Sequence, residues 1–296
     1  MSKINLHGIF PPIPTPFING NIAYDELAAN IEKWGKTGLK GLLVLGSNGE
    51  YVYLSDQEKR EVIETAVGAA PQDMLIIAGT GCESTRATIE MTNACAKRGA
   101  RLALVVTPHY YGGRMQAAAL IKHFTAVADE SAIPILLYNV PKFTHITLTA
   151  DVVSELSQHP NIVGLKESSG NVNLIGQYLN VTGSDFNIMV GTAGVLFAGL
   201  SIGCVGGILA LSNLAPDRCI KMYDDVRQGN FEAARQLQLQ MLPVNNAVTA
   251  TYGIPGLKAA MDMLGYFGGD PRPPLLPASE QERAEIKEIL QKAELL

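Results

Sequence analysis

A chain of 296 residues, 47% hydrophobic and 17% charged, can fill a complete α/β barrel or two ordinary domains around a sizeable core. Its net charge of −5, its pI near 5.6 and the lack of any extended basic cluster argue against nucleic acid or an anionic membrane as a partner. A small-molecule substrate fits this composition better.

The opening stretch "MSKINLHGIFPPIPTPF" carries no apolar run suited to a signal peptide, and no later segment approaches a bilayer-spanning length of apolar residues, so the expectation is a cytoplasmic protein. From there, short apolar and β-branched runs recur: "GIFPPI" near 8, "GLLVLG" near 41, "MLIIAG" near 74, "LALVVTP" near 102, "PILLYNV" near 134, "IVGLKES" near 162, "NIMVGT" near 187 and "CVGGILAL" near 204. Most of the gaps hold a segment of helical periodicity, such as "SDQEKREVIETAVGAA" or "STRATIEMTNACAKRGA". Eight strand and helix units are the count that closes a (β/α)8, or TIM, barrel. An open doubly wound sheet would also satisfy apolar strands covered on both faces, but no G-x-G-x-x-G follows the early strands, and its main support is missing. Beyond residue 215 the strand signals stop, and helical patterns follow in "APDRCIKMYDDVRQGNFEAARQLQLQM" and "GIPGLKAAMDMLGYFGG". After "PRPPLLP" a last helix begins, with Ser279 placed to cap it. The expected organisation is a barrel over 1–227 that carries the active site, with a C-terminal helical extension over 228–296. Cys82, Cys95, Cys204 and Cys219 form no C-x-x-C pair and have no His at ligand spacing, so they are expected to be reduced and buried, with no metal bound.

In a barrel of this kind the active site lies at the C-terminal ends of the strands, which directs attention to the polar residues just past each apolar run. In "IVGLKESSG" a period of two puts Lys166 on the face of Gly164 and opposite Val163 and Leu165, a face expected to have room for a bound molecule. An unpaired buried ammonium is strongly disfavoured, so such a lysine either finds partners or loses its proton. A neutral lysine is a nucleophile suited to forming a Schiff base with a carbonyl. That chemistry needs a proton shuttle, and Tyr138, on the neighbouring strand with the parity of Leu136, is placed to be one. Taken alone, Tyr138 serves equally well as a rim anchor held by its hydroxyl. Gly46-Ser47-Asn48-Gly49 follows the second strand. Taken alone it is an ordinary strand-to-helix turn, but its glycines and short polar side chains could also converge donors on a carboxylate.

Three stretches together resemble the pyruvate-dependent class I aldolase superfamily that includes N-acetylneuraminate lyase and dihydrodipicolinate synthase. They are "GSNGE" at 46–50, "YNVP" at 138–141 and "GLKESSG" at 164–170. The likeness runs from "PPIPTPF" at 11–17 to "GIPGLKAAMDMLGYFGG" at 253–269. It implies that Lys166 forms the Schiff base and Tyr138 relays protons, with Gly46, Ser47 and Asn48 at the keto-acid carboxylate. It further implies that Ile208 presents its carbonyl to substrate, and that Tyr110 or Tyr111 of "PHYYGG" joins the hydroxyl relay across a dimer interface in a homotetramer built from dimers. No metal or organic cofactor is implied, and the partner is pyruvate or a related keto acid.

Within that superfamily two departures bear on the second substrate. The synthases carry an arginine five residues after the relay tyrosine, where this chain has Phe143; the lyases carry an acidic pair after the glycine of the seventh strand, where Gly191 is followed by Thr192 and Ala193. The stretches "GCEST" at 81–85, "VVTPHYYGGRM" at 105–115, "LSQHPNIVGLK" at 156–166 and "YGIPGLKAAMD" at 252–262 are most similar to 4-hydroxy-2-oxoglutarate aldolase. The expected reaction is therefore cleavage of 4-hydroxy-2-oxoglutarate to pyruvate and glyoxylate. The alternatives are condensation of pyruvate with aspartate semialdehyde, cleavage of a sugar-derived 2-keto acid, or a keto-acid-binding barrel without turnover.

Overall fold

The computed structural model describes residues 4–296; the first three residues of the stretch read as lacking a signal peptide lie outside the described part. Eight parallel strands form one sheet: β1 (Gly8–Phe10), β2 (Gly41–Val44), β3 (Leu75–Gly79), β4 (Leu102–Val106), β5 (Ile135–Asn139), β6 (Ile162–Glu167), β7 (Asn187–Val190) and β8 (Gly206–Ile208). From β2 to β8 each strand pairs with its sequence neighbour, and β8 returns to β1 with Gly8 opposite Gly206 and Phe10 opposite Ile208. Between β1 and β2 the ring is closed past the end of β1. Pro11 and Pro12 have no N–H to give, so Leu43 donates to the Pro11 carbonyl and Ile13 donates to the Leu43 carbonyl, each at 2.9 Å. The molecule is a TIM barrel, and every strand begins within two residues of its expected position.

Alternation along the strands sorts the apolar side chains into two cores. Phe10, Leu43, Leu104, Leu136, Tyr138 and Met189 fill the barrel interior, while Val44, Val105, Leu137, Leu165 and Val190 face the surrounding helices. The helices α1 (Tyr24–Gly35), α2 (Asp56–Ala69), α3 (Thr85–Ala96), α4 (Ala117–Glu130), α5 (Pro141–Thr144), α6 (Ala150–Leu156), α7 (Val172–Val181), α8 (Leu196–Ser201) and α9 (Pro216–Arg227) fill the connections. They are followed by α10 (Phe231–Asn246), α11 (Gly253–Met263) and α12 (Glu280–Lys292), with a π-helical turn at Ala247–Thr251 between the first two. Among the described residues, no helix is long and apolar enough to cross a membrane.

Local signals decide several of these boundaries. Ser279 caps α12 by accepting from the Glu282 N–H at 3.3 Å, and Glu282 reaches back to the Ser279 N–H at 2.7 Å. Gly229, at φ 83°, breaks the long helical pattern after 215 into α9 and α10. A two-residue hairpin, Phe17–Ile18 with Asn21–Ile22, was not among the expected elements; Asn19 and Gly20, both at positive φ, form the tight turn that such a pair favours. The four cysteines are free, three of them buried and Cys82 partly so.

Candidate active site

Lys166 and Tyr138 stand directly opposite one another in the β5–β6 ladder, and Lys166 is flanked on its other side by Met189 of β7. Because Tyr138 and Met189 point into the barrel, Lys166 does too. It is only 3% exposed, and its Nζ lies 4.4 Å from the centre of the Tyr138 ring. Burial pulls the Lys166 pKa below the ordinary lysine value; the Tyr138 hydroxyl works against that shift without cancelling it. The neighbouring carboxylate gives no help. Glu167 lies on the opposite side of the strand, where it accepts from Asn139 Nδ2 and from the Ser169 N–H, each at 2.5 Å. Its own pKa is raised by burial, with those hydrogen bonds opposing.

Two expectations for this strand are corrected. Ile135 pairs with Ile162 but Leu136 pairs with Gly164, so Val163 is the extra residue of a bulge and packs against the interior core instead of facing away from Lys166. Gly164 does not open space for a ligand either. A Cβ there would sit 2.2 Å from the Asn187 carbonyl oxygen, so the glycine is required for the close approach of β7.

The polar turn after β2 begins with Leu45 at φ 61° and ends with Glu50 at φ 55°, two side-chain-bearing residues held in the left-handed region. Between them Ser47–Gly49 forms one 3-10 turn. Ser47 Oγ lies 3.4 Å from Tyr138 Oη, which brings the turn, the phenol and the lysine into one chain of contacts. Asn48 is half-buried, with its side-chain amide 3.4 Å from the Pro12 carbonyl, and Gly46 is the extended residue that leads into the turn. Ile208 is fully buried as the last residue of β8, its side chain in the same interior core as Tyr138.

Tyr110 and Tyr111 are not brought to this cluster within one chain. They project from the loop after β4, 78% and 72% exposed, and pack edge to face against each other at 5.0 Å. The loop is pinned by Glu83, whose Oε2 accepts from the His109 and Tyr110 N–H groups, both at 2.9 Å. Phe143, in α5 just beyond Tyr138, is half-exposed, and the adjacent Lys142 is turned away to donate to the Thr249 carbonyl at 2.7 Å. Thr192 Oγ1 reaches Asn245 Oδ1 at 3.4 Å.

Sequence reasoning missed several residues beside the cluster. Tyr51 is mostly buried and close enough to Tyr138 that burial, then the Tyr138 charge, raise its pKa. Its proximity to β5 comes from the turn at Glu50 and is invisible to strand parity. Asn139 ties β5 to β6 through Glu167 and also accepts from the Leu148 N–H at 3.0 Å; its position next to Tyr138 was a usable signal.

Residues 5–293 match the model of the dihydrodipicolinate synthetase family. The 4-hydroxy-tetrahydrodipicolinate synthase of Methanothrix thermoacetophila is 36% identical over 288 residues, covering 96% of each chain. That of an Exiguobacterium species is also 36% identical, over 280 residues, covering 94% of this chain and 95% of its own. Among solved structures, dihydrodipicolinate synthase from Aquifex aeolicus superposes with a TM-score of 0.93 at 30% identity, over 98% of this chain and 99% of that one. The chloride-inhibited synthase from Acinetobacter baumannii, in complex with pyruvate, gives a TM-score of 0.93 at 27% identity with the same coverage.

Proposed function

Because the chain belongs to the dihydrodipicolinate synthetase family, we propose that it makes or breaks a carbon–carbon bond beside a pyruvate unit held on Lys166 as a Schiff base. The observation that carries this reading is the buried lysine, with no ion-pair partner among the described residues, stacked on a tyrosine that touches a serine of the polar turn. The neutral amine attacks the C2 ketone of the keto acid, and loss of water gives an iminium. In the cleavage direction the iminium draws the C3–C4 bonding electrons into an enamine as the C4 hydroxyl gives up its proton and an aldehyde departs. Protonation of C3 and hydrolysis then release pyruvate and restore the amine. In the condensation direction the same enamine attacks an aldehyde and the new alkoxide takes up a proton.

Tyr138 is the proton carrier for these steps, passing protons along its contact with Ser47. Ser47 and Asn48, led into by the extended Gly46, hold the keto-acid carboxylate, since their N–H groups, unlike that of Gly49, have no acceptor within the turn. Ile208 borders the same space, and Tyr110 or Tyr111 completes the relay from a second subunit of a dimer-based homotetramer; their exposure on the isolated chain supports that placement.

For the second substrate, the relatives named 4-hydroxy-tetrahydrodipicolinate synthase support condensation of pyruvate with aspartate semialdehyde. One observation favours the other reading, cleavage of 4-hydroxy-2-oxoglutarate to pyruvate and glyoxylate. At the place of the carboxylate-gripping arginine stands a half-exposed Phe143, and its one cationic neighbour in α5, Lys142, is engaged elsewhere. A panel of aldehydes offered with pyruvate, run alongside 4-hydroxy-2-oxoglutarate in the cleavage direction, decides between them. Turnover with aspartate semialdehyde alone removes the cleavage reading, and turnover only in the glyoxylate pair removes the synthase reading.

A further inference from the structure

Among the described residues a second lysine is fully buried, outside the cluster at Lys166 and on the C-terminal helical extension. Lys258 of α11 is 1% exposed; its Nζ forms an ion pair with Glu50 Oε1 at 2.6 Å and donates to the Thr15 carbonyl at 2.8 Å and the Asp270 carbonyl at 3.0 Å. The carboxylate beside the amine favours its charged form over the neutral one. The ammonium also lies 4.4 Å from the centre of the Phe17 ring, whose other cationic neighbour is the Arg272 guanidinium at 4.5 Å.

All of these contacts converge on the end of the polar turn. Glu50 is the left-handed residue that terminates Ser47–Gly49, and its other carboxylate oxygen accepts from the Arg272 N–H at 2.8 Å. Thr15, whose carbonyl Lys258 holds, donates its hydroxyl to the Gly49 carbonyl at 2.7 Å. Arg272 in turn donates to the Tyr53 carbonyl at 2.9 Å and pairs with Glu58 at 2.7 Å, so Glu50 and the chain that follows it are tied to the segment after α11. The barrel strand β2 ends before any of this, and Leu45, the first residue past it, already has positive φ.

We propose that Glu50 and Lys258 are positioning residues for the keto-acid site: the ion pair between them sets the height of the Ser47–Gly49 turn over Lys166, so that the C-terminal helices fix the affinity for the substrate carboxylate. The proposal rests on the reading of that turn as the carboxylate grip. A pair that served stability alone would loosen the whole molecule when broken and restore it when both charges are removed together, because a buried ion pair replaced by neutral groups is frequently tolerated. A positioning pair leaves a different trace, since removing both charges restores folding without restoring the tether between α11 and the turn.

The test uses the full chain, pyruvate alone and borohydride trapping on Lys166, read by intact mass as a function of pyruvate concentration, with thermal unfolding measured in parallel. Glu50→Gln, isosteric with the native residue, and the double variant Glu50→Gln with Lys258→Met are expected to raise the half-saturating pyruvate concentration about tenfold. Trapping at saturating pyruvate stays within about twofold of the native protein. The double variant regains most of its unfolding temperature without regaining pyruvate affinity. Ser47→Ala separates the two layers of the argument. If Ser47→Ala raises the half-saturating concentration and the Glu50 and Lys258 variants do not, the positioning proposal is overturned and the carboxylate reading stands. If Ser47→Ala has no effect either, both fall. A half-saturating concentration that merely follows unfolding temperature across the variants also overturns the proposal. Should the double variant not fold, Glu50→Gln decides by itself.

Discussion

Among the described residues two lysines, Lys166 of the barrel and Lys258 of the C-terminal helices, are buried to almost the same degree, and their surroundings differ in one respect that bears on their chemistry. Lys258 is met by a carboxylate and two carbonyls, while Lys166 is met by an aromatic ring and its hydroxyl. Burial lowers the pKa of both, but only for Lys258 does a carboxylate push back. The Glu50 carboxylate favours the cation at Lys258, the form that has no electron pair to offer. At Lys166 no carboxylate opposes the effect of burial, and a lysine that has lost its proton is a nucleophile. Burial alone does not make a reactive lysine; burial without a counter-ion does.

Substitutions can break this contrast. Lys166→Ala should lower turnover by roughly four to six orders of magnitude, while Lys258→Ala should retain a borohydride-trappable amine at saturating pyruvate. Steady-state rates and intact mass check the two together. Tyr138→Phe keeps the ring against Lys166 and removes only the hydroxyl, so turnover should fall by about 10² to 10⁴ with the fold intact, measured with the aldehyde that the panel identifies.

Stability separates the two sites by sign. Lys258→Met leaves Glu50 buried without its cation and should cost about 3–5 kcal/mol in denaturant unfolding. Lys166→Met removes a desolvated amine that has no ion-pair partner among the described residues and should be neutral or stabilising by the same measurement.

The smallest effect concerns pH. The folded-state pKa of Lys166 is depressed, and its unfolded value is about 10.4, so between the two the unfolded chain holds a proton that the folded chain has lost. Stability therefore rises with pH across that window, and the penalty for burying Lys166 fades as pH approaches the unfolded value. The gap in unfolding free energy between Lys166→Met and the native protein should narrow between pH 8 and pH 10, whereas a constant gap would mean that the native lysine is not depressed.

Much of this was legible in the sequence because the relevant signals are local. The eight apolar runs, the Ser279 cap and the shared height of Tyr138 and Lys166 follow from periodicities of two and 3.6 and from cap chemistry. The inward face of Lys166 was read correctly even though the parity of Val163 was not, because the bulge lies below Gly164 and leaves the last turns of the strand in register. What the sequence hid is non-local. Glu50 sits in the quoted "GSNGE" and Lys258 in the quoted "GIPGLKAAMD", yet nothing short of the folded chain joins them. A lone lysine within the apolar stretch of α11 was the available hint, since a helix that buries both faces must pair such a charge. The task proposed for the solvent-facing pair Tyr110 and Tyr111 came from the resemblance and not from local pattern, because it belongs to an assembly of chains.

The central claim is that the buried lysine without a counter-ion, and not its ion-paired counterpart, carries the substrate. Pyruvate and borohydride applied to the native protein, followed by peptide mass mapping, test it directly. A single reduced adduct on the peptide containing Lys166 is the predicted result; an unmodified Lys166, or an adduct on Lys258, would contradict it.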